Sequence, residues 1–173
     1  MFVNFPKSKE TFIFAKTNEH LKMNQFVVYL EVEPYLKEWA EKHFGNPVEF
    51  PRDSVENRMI KRFLEREPKD RLPDLTGNIA VKIPMSKEKD PRAGFTYLSY
   101  NAKRAVHESL MTLFLRNLWA ELGDLGKVNC QLTTLIYAWL SKHGISDENW
   151  ECVRQKYYRL RKTYHEKGVY LGK

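Results

Sequence analysis

The residues best suited to chemistry lie near the C-terminus, on one face of a predicted helix. They combine cationic, amide, aromatic and imidazole side chains: Arg154, Gln155, Tyr158, Arg161, Lys162 and His165. Cationic groups neutralise phosphate, an arginine fork can hydrogen-bond to guanine, and a tyrosine can stack on a base or reach a phosphate. This face of the helix is therefore the candidate nucleic-acid-binding site.

The opposite face of the same helix is apolar. Its residues are spaced 3, 4, 3 and 4 apart: Trp150, Val153, Tyr157, Leu160 and Tyr164. We call this set the apolar seam; its spacing predicts a buried stripe. The spacing is also that of a two-heptad coiled coil, so the seam could pair with a partner helix, including that of a second copy in a homodimer. A protein-interaction or assembly module is therefore the alternative function, although two heptads favour packing within the same chain.

A second helical pattern, residues 132–143, precedes this helix and ends at Gly144. Ser146 is the predicted cap of the last helix, and Asp147 and Glu148 suit its positive first turn. Residues 132–167 resemble a DNA-binding helix-turn-helix, with the glycine in the turn. The resemblance implies a non-catalytic protein that binds nucleic acid, with duplex DNA as the expected ligand. Because the first turn is acidic, the middle and C-terminal end of the last helix are expected to approach the DNA.

The site residues have different expected roles. Arg154, Lys162 and His165 are predicted to contact phosphates. Gln155 and Arg161 are the better candidates for base edges, because an amide and a guanidinium can each make paired hydrogen bonds there.

Composition agrees with a polyanionic partner. The 173-residue chain has a formal charge of +7. From Lys127 to the end there are nine Lys/Arg and four Asp/Glu, which places +5 of that charge in the last 47 residues. Cys130 and Cys152 do not suggest a disulfide framework, and the sequence predicts no signal peptide and contains no apolar run of about 18 residues. We therefore expect a basic cytoplasmic protein that does not enter a membrane.

The remaining chain predicts an α+β fold that is mostly helical. Residues 1–98 are expected to form a sheet of two or three strands with two helices, and residues 99–173 to be all-helical, in one compact body. The strands are predicted at 11–15, 26–32 and 79–83, the last two pairing with each other. One helix is expected from Pro34 to Gly45. Another is expected from Asp53 or Ser54, burying Val55, Met59, Ile60 and Phe63.

The longest helical pattern runs from Ser99 or Asn101 to Leu122 and predicts the central core helix. Its expected inward-facing residues are Ala102, Val106, Leu110, Leu113 and Leu118, with Leu110 and Leu113 among the least exposed. The segment 85–94 carries three cations without apolar periodicity. It is either a solvated connector or a loop that contacts phosphate.

Metal and cofactor chemistry find little support in the sequence. Cys130, His143, Cys152 and His165 could suggest zinc. However, Cys152 and His165 are 13 residues apart in one predicted helix, roughly 20 Å along its axis. Zinc ligands each lie about 2.0–2.3 Å from the metal. No nucleotide-binding glycine loop, nucleophile elbow or zinc-protease motif occurs, and His20, His43 and His107 have no partners in sequence. No catalytic residue, metal or cofactor is therefore expected, and an enzyme acting on nucleic acid ranks third.

A broader resemblance extends over residues 26–165. It involves Pro91-Arg92, residues 95–99 (FTYLS), Leu118-Trp119, His143-Gly144-Ile145 and Asn149-Trp150. With these, the chain resembles small uncharacterised proteins encoded in bacterial prophages and mobile elements. That resemblance implies an accessory or regulatory role connected with DNA.

Overall fold

The computed structural model describes residues 26–69, 74–123 and 131–167. Within them lie five α-helices and four short strands: β1 Val27–Leu30, α1 Pro34–Phe44, α2 Val55–Phe63, β2 Glu65–Arg66, β3 Ile79–Lys82, β4 Phe95–Tyr97, α3 Tyr100–Leu122, α4 Leu132–His143 and α5 Trp150–Glu166. The predicted fold class, α+β and mostly helical, is confirmed. The strand expected at 11–15 lies outside the described residues.

The strands form two small antiparallel sheets. β1 pairs with β3, as predicted, with Val28 opposite Val81, and both of these side chains are buried. β2 pairs with β4, with Glu65 opposite Tyr97, which the sequence did not indicate. Both residues of β2 are exposed, so this strand has no alternation of apolar and polar residues that could reveal it.

α3 is the central helix, as predicted. The Ser99 hydroxyl accepts a hydrogen bond from the Ala102 N–H at 3.4 Å and caps its start. The buried residues of α3 recur at every fourth position: Ala102, Val106, Leu110, Phe114, Leu118 and Leu122. The prediction for Leu113 was wrong, because the buried stripe passes through Phe114 and leaves Leu113 only half-buried.

The core contains side chains from both predicted parts of the chain, residues 1–98 and residues 99–173. The ring of Phe114 lies 5.2 Å from Tyr35, 5.6 Å from Trp39 and 5.7 Å from Trp139, so α1, α3 and α4 meet around it. In α2, Ile60 is buried as predicted, but Val55 is 55% exposed because it is the first residue of that helix. Among the described residues, no helix has both the length and the apolar composition to cross a membrane.

Candidate nucleic-acid interface

The turn between α4 and α5 has the predicted construction. Gly144 adopts a left-handed conformation with φ 68°, and the N–H of Ile145 bonds back to the Leu140 carbonyl at 2.9 Å. The Ser146 hydroxyl then accepts a hydrogen bond from the Glu148 N–H at 3.4 Å. A short 3-10 turn, Asp147–Asn149, leads directly into α5. The helix–glycine–helix arrangement is therefore present.

The apolar seam packs against the same chain. Val153 and Tyr157 are buried. Trp119 of α3 stacks on Tyr164, with ring centroids 4.4 Å apart and planes 13° apart, and it also lies 6.2 Å from the ring of Tyr157. These contacts fix α5 on α3 and determine which side of α5 faces outward.

The predicted site residues lie on the side of α5 away from the core. Gln155, Tyr158, Arg161 and Lys162 are exposed, and Arg154 is partly exposed. The side chain of His165 lies outside the described set. α5 contains five Lys/Arg and two Glu, so this outward face combines a net positive charge with a tyrosine.

Arg154 and Gln155 are held by a carboxylate of the same helix. Glu151 accepts hydrogen bonds from Arg154 Nε at 2.9 Å, from Arg154 Nη2 at 3.1 Å and from Gln155 Nε2 at 3.2 Å. These bonds lower the pKa of Glu151 and raise the pKa of Arg154. The charge of Arg154 is thus compensated locally, so it is a weaker candidate for a phosphate contact than the sequence indicated.

The second half of α5 carries the more accessible cations. Arg159, which the sequence pattern did not single out, is exposed one turn after Gln155, a spacing that alone would have placed it on this face. Arg159 and Arg161 form no ion pair with any described residue, and Lys162 lies 3.8 Å from Glu166. Arg159, Arg161 and Lys162 are therefore better candidates for phosphate contacts than Arg154.

Planar groups line up along α4 and α5. Tyr137 stacks on Trp150, with centroids 5.4 Å apart and planes 11° apart. The guanidinium of Arg154 lies 5.0 Å from the Trp150 centroid and 5.6 Å from that of Tyr158, over both rings. We call Tyr137, Trp150, Arg154 and Tyr158 the stacked row.

The start of α5 is surrounded by carboxylates. Glu38 of α1 accepts hydrogen bonds from the Ser146 N–H at 2.8 Å and from the Asn149 amide at 3.0 Å. Asp147 and Glu148 are exposed beside them. This end of the helix is therefore acidic and docked on α1.

A histidine pair that the sequence did not reveal lies between α1 and α4. His43 Nε2 is 2.8 Å from His143 Nδ1, and His143 Nε2 is 3.1 Å from Glu121 Oε2. The carboxylate can only accept from His143 Nε2–H, so in a neutral His143 the Nδ1 atom accepts from His43 Nε2–H. His43 therefore has a partner, but at a separation of 100 residues that no local pattern reveals.

Three more residues are connected to this pair and its glutamate by hydrogen bonds. We call this set the His143 network: His43, His143, Glu121, Lys142, Asn117 and Trp39. Lys142 Nζ donates to Glu121 at 2.7 Å, Asn117 Nδ2 donates to Glu121 at 3.0 Å, and Trp39 Nε1 donates to Asn117 Oδ1 at 3.2 Å. Burial opposes the charge of Glu121, but these hydrogen bonds outweigh it and lower its pKa to about 2. Burial and the neighbouring imidazole lower the pKa of His43.

His107 also has a partner that the sequence did not show. Its Nε2 lies 2.8 Å from Glu33 Oε2. It lines a cavity of about 380 Å³ between β1 and α3, together with Lys103 and Arg104. Lys103 is paired with Asp74 at 2.7 Å and Arg104 with Glu108 at 2.8 Å, so the cations of this cavity are already neutralised.

No protein-family model, curated protein or solved structure matches the chain. Within residues 26–69, 74–123 and 131–167, no group of three or more His, Cys, Asp or Glu side chains is arranged to hold a metal ion. Cys152 and His165, the two residues whose spacing argued against zinc, both belong to the unbroken helix α5.

Proposed function

We propose that the protein binds nucleic acid, without catalysis, through the outward face of α5. The observation that carries the proposal is the contrast between the two sides of this helix. Its seam packs against α3 and α4, whereas Arg159, Arg161 and Lys162 are exposed to solvent. Accessible cations on an anchored helix are suited to the phosphates of a nucleic acid backbone.

The assembly alternative receives less support from the packing. The seam that would bind a partner helix is occupied by α3, with Val153 and Tyr157 already buried. A homodimer formed through this seam would have to displace Trp119 from Tyr164.

We also propose the cellular compartment and the biological role that the sequence implies. In the cytoplasm the exposed thiol of Cys152 would stay reduced. An accessory or regulatory role in a bacterial phage or mobile element fits a small, basic nucleic-acid-binding protein. Duplex DNA, the ligand predicted from the helix-turn-helix resemblance, is the first ligand to test.

A salt titration tests the proposal. Binding of a fluorescent random duplex is followed by anisotropy, for the wild type and for a variant with Arg159, Arg161 and Lys162 changed to Ala. We expect the slope of log affinity against log salt to become shallower by about 0.9 for each phosphate that the variant no longer neutralises, or about 2–3 in total. Folding should be unaffected, because exposed substitutions cost little stability.

The matched control removes the same charge elsewhere. Arg52, Arg58 and Arg62 are exposed on α2 and in the segment before it, and changing them to Ala should leave the slope nearly unchanged. An equal decrease of the slope in both variants would show that binding depends only on the net charge of the protein. Wild-type affinity weaker than about 100 μM at about 50 mM salt would reject nucleic-acid binding altogether, since non-specific binders reach about 10⁻⁴–10⁻⁶ M even at physiological salt.

A further inference from the structure

The stacked row runs from Trp150 in the apolar seam to Tyr158 on the outward face, and phosphate contacts alone do not explain it. Trp150, Arg154 and Tyr158 follow one another at every fourth residue, so they run along the axis of α5, one per turn. Tyr137 of α4 extends the row past the start of the helix. The result is a series of planar groups, three aromatic and one cationic, on one edge of the helical hairpin.

Both ends of the row are open to solvent. Tyr137 is 42% exposed and Tyr158 is 45% exposed, whereas Trp139, on the opposite side of α4, is only 3% exposed. Aromatic rings bury large apolar areas when they pack in a core. Two tyrosines that remain at the surface at the ends of an ordered stack are therefore available to a planar ligand.

Glu151 makes Arg154 part of the stack. Its two hydrogen bonds to Nε and Nη2 hold the guanidinium where it lies over the rings of Trp150 and Tyr158. A guanidinium is planar and stacks on aromatic faces. With its charge compensated by Glu151, Arg154 serves to order the two rings and is less available to phosphate.

We propose that the stacked row is a platform for unpaired bases, so that the preferred ligand is single-stranded nucleic acid. This inference rests on the proposed function, which supplies the phosphate contacts. Every base of a duplex is stacked between its neighbours, whereas an unpaired base can place its free face on an exposed aromatic ring. Arg161 and Lys162 lie three and four residues after Tyr158, so they could hold the backbone next to a base stacked on that ring.

The start of α5 also disfavours duplex binding in the manner of a helix-turn-helix. A helix-turn-helix inserts the N-terminal residues of its recognition helix into the major groove. Here Glu38 occupies the helix start, and Asp147 and Glu148 add two more carboxylates beside it. The side of the helix, where the row lies, is therefore the more favourable surface for a polyanion.

The affinities of three ligands distinguish binding to bases from binding to phosphates. They are a single strand of about 12 nucleotides, the duplex of the same sequence, and an abasic strand of the same length, all at one salt concentration. We expect the single strand to bind more tightly than the duplex. The abasic strand should bind more weakly than the single strand by at least about 5-fold, the effect of losing one stacked base. Equal affinity for the single strand and the abasic strand would overturn the inference.

Variants of the row test the same point on the protein. Tyr158→Ala should weaken binding of the single strand by about 5- to 150-fold, while Tyr158→Phe, which keeps the ring, should bind like the wild type. Tyr137→Ala should act in the same direction. Tyr100→Ala is the matched control, because Tyr100 is 79% exposed but lies at the start of α3, outside the row.

The outcomes distinguish this inference from the proposed function. If Tyr158→Ala and Tyr100→Ala bind the single strand equally well, the row is not a base platform. In that case a wild-type salt slope that becomes shallower in the Arg159, Arg161 and Lys162 variant would still support nucleic-acid binding through phosphates. If no nucleic acid binds to the wild type, both proposals are rejected.

Discussion

The His143 network and the stacked row are built from the same kinds of groups. Each combines aromatic rings and a cationic side chain with a glutamate that accepts several hydrogen bonds. The glutamate is Glu121 in the network and Glu151 beside the row. In the network the groups converge on His143, which is only 3% exposed. In the row the stack ends in exposed tyrosines. The network therefore contributes to the fold, whereas the open row is the surface that we propose for a ligand.

α3 supports both regions, since it contributes Glu121 to the network and Trp119 to the anchoring of α5. Leu110→Ala should therefore have the largest effect and weaken both at once, lowering the free energy of unfolding by about 2–5 kcal/mol. Urea denaturation gives this value. Leu113→Ala is the control and should cost clearly less, because Leu113 is half-buried. Equal losses would mean that the core face of α3 is misassigned.

The network should contribute more to stability than the row. His143→Ala removes the buried group that joins Glu121 to His43 and should cost about 1–3 kcal/mol. Tyr158→Ala, at the open end of the row, should change stability by no more than about 0.5 kcal/mol. Both variants are measured by the same denaturation experiment. Similar small losses in both would remove the distinction between a closed and an open region.

The two regions should also differ in their response to pH. The pKa of His43 is lowered from 6.5, so the unfolded chain binds this proton more readily than the folded protein. Its contribution to stability is complete above about pH 6.5 and decreases as the pH falls through the lowered pKa. The pKa of Glu121 is lowered from 4.5 to about 2, so its contribution is lost between those values.

Thermal unfolding between pH 7.5 and pH 5 checks the first of these effects. His43→Gln should show a flatter dependence of the melting temperature on pH than the wild type, because it lacks the titrating group. Tyr158→Ala should keep the wild-type dependence. If the melting temperature of His43→Gln depends on pH as it does in the wild type, His43 is not the group that makes stability change in this pH range.

The smallest expected effect concerns binding by Arg154. Because Glu151 compensates its charge, Arg154→Ala should change the salt slope much less than Arg161→Ala, for which a change of about 0.7–0.9 is expected. Fluorescence anisotropy at several salt concentrations provides both slopes. Glu151→Gln is informative in addition, since it should release Arg154 and steepen the slope. An equal change for Arg154→Ala and Arg161→Ala would contradict the local compensation.

Much of the fold could be predicted because its signals are local. The pairing of β1 with β3, the start of α3 at Ser99 and the turn at Gly144 all follow from propensity, capping and glycine conformation. The β2–β4 sheet could not be predicted, because two exposed residues carry no pattern. Leu113 was misplaced because α3 is apolar on several sides, and only its packing selects the stripe through Phe114.

For the candidate site, the sequence by itself determined which residues share a face of α5. Helical periodicity fixes the seam and the outward cations, and the spacing of Glu151 from Arg154 and Gln155 already permits their pairing. Only the tertiary structure decided that Tyr137 stacks on Trp150, that Glu38 closes the start of α5, and that His43 meets His143. These contacts join residues that are 13, 108 and 100 positions apart. No local pattern encodes them, because they form only when the packing of the core brings separate helices together.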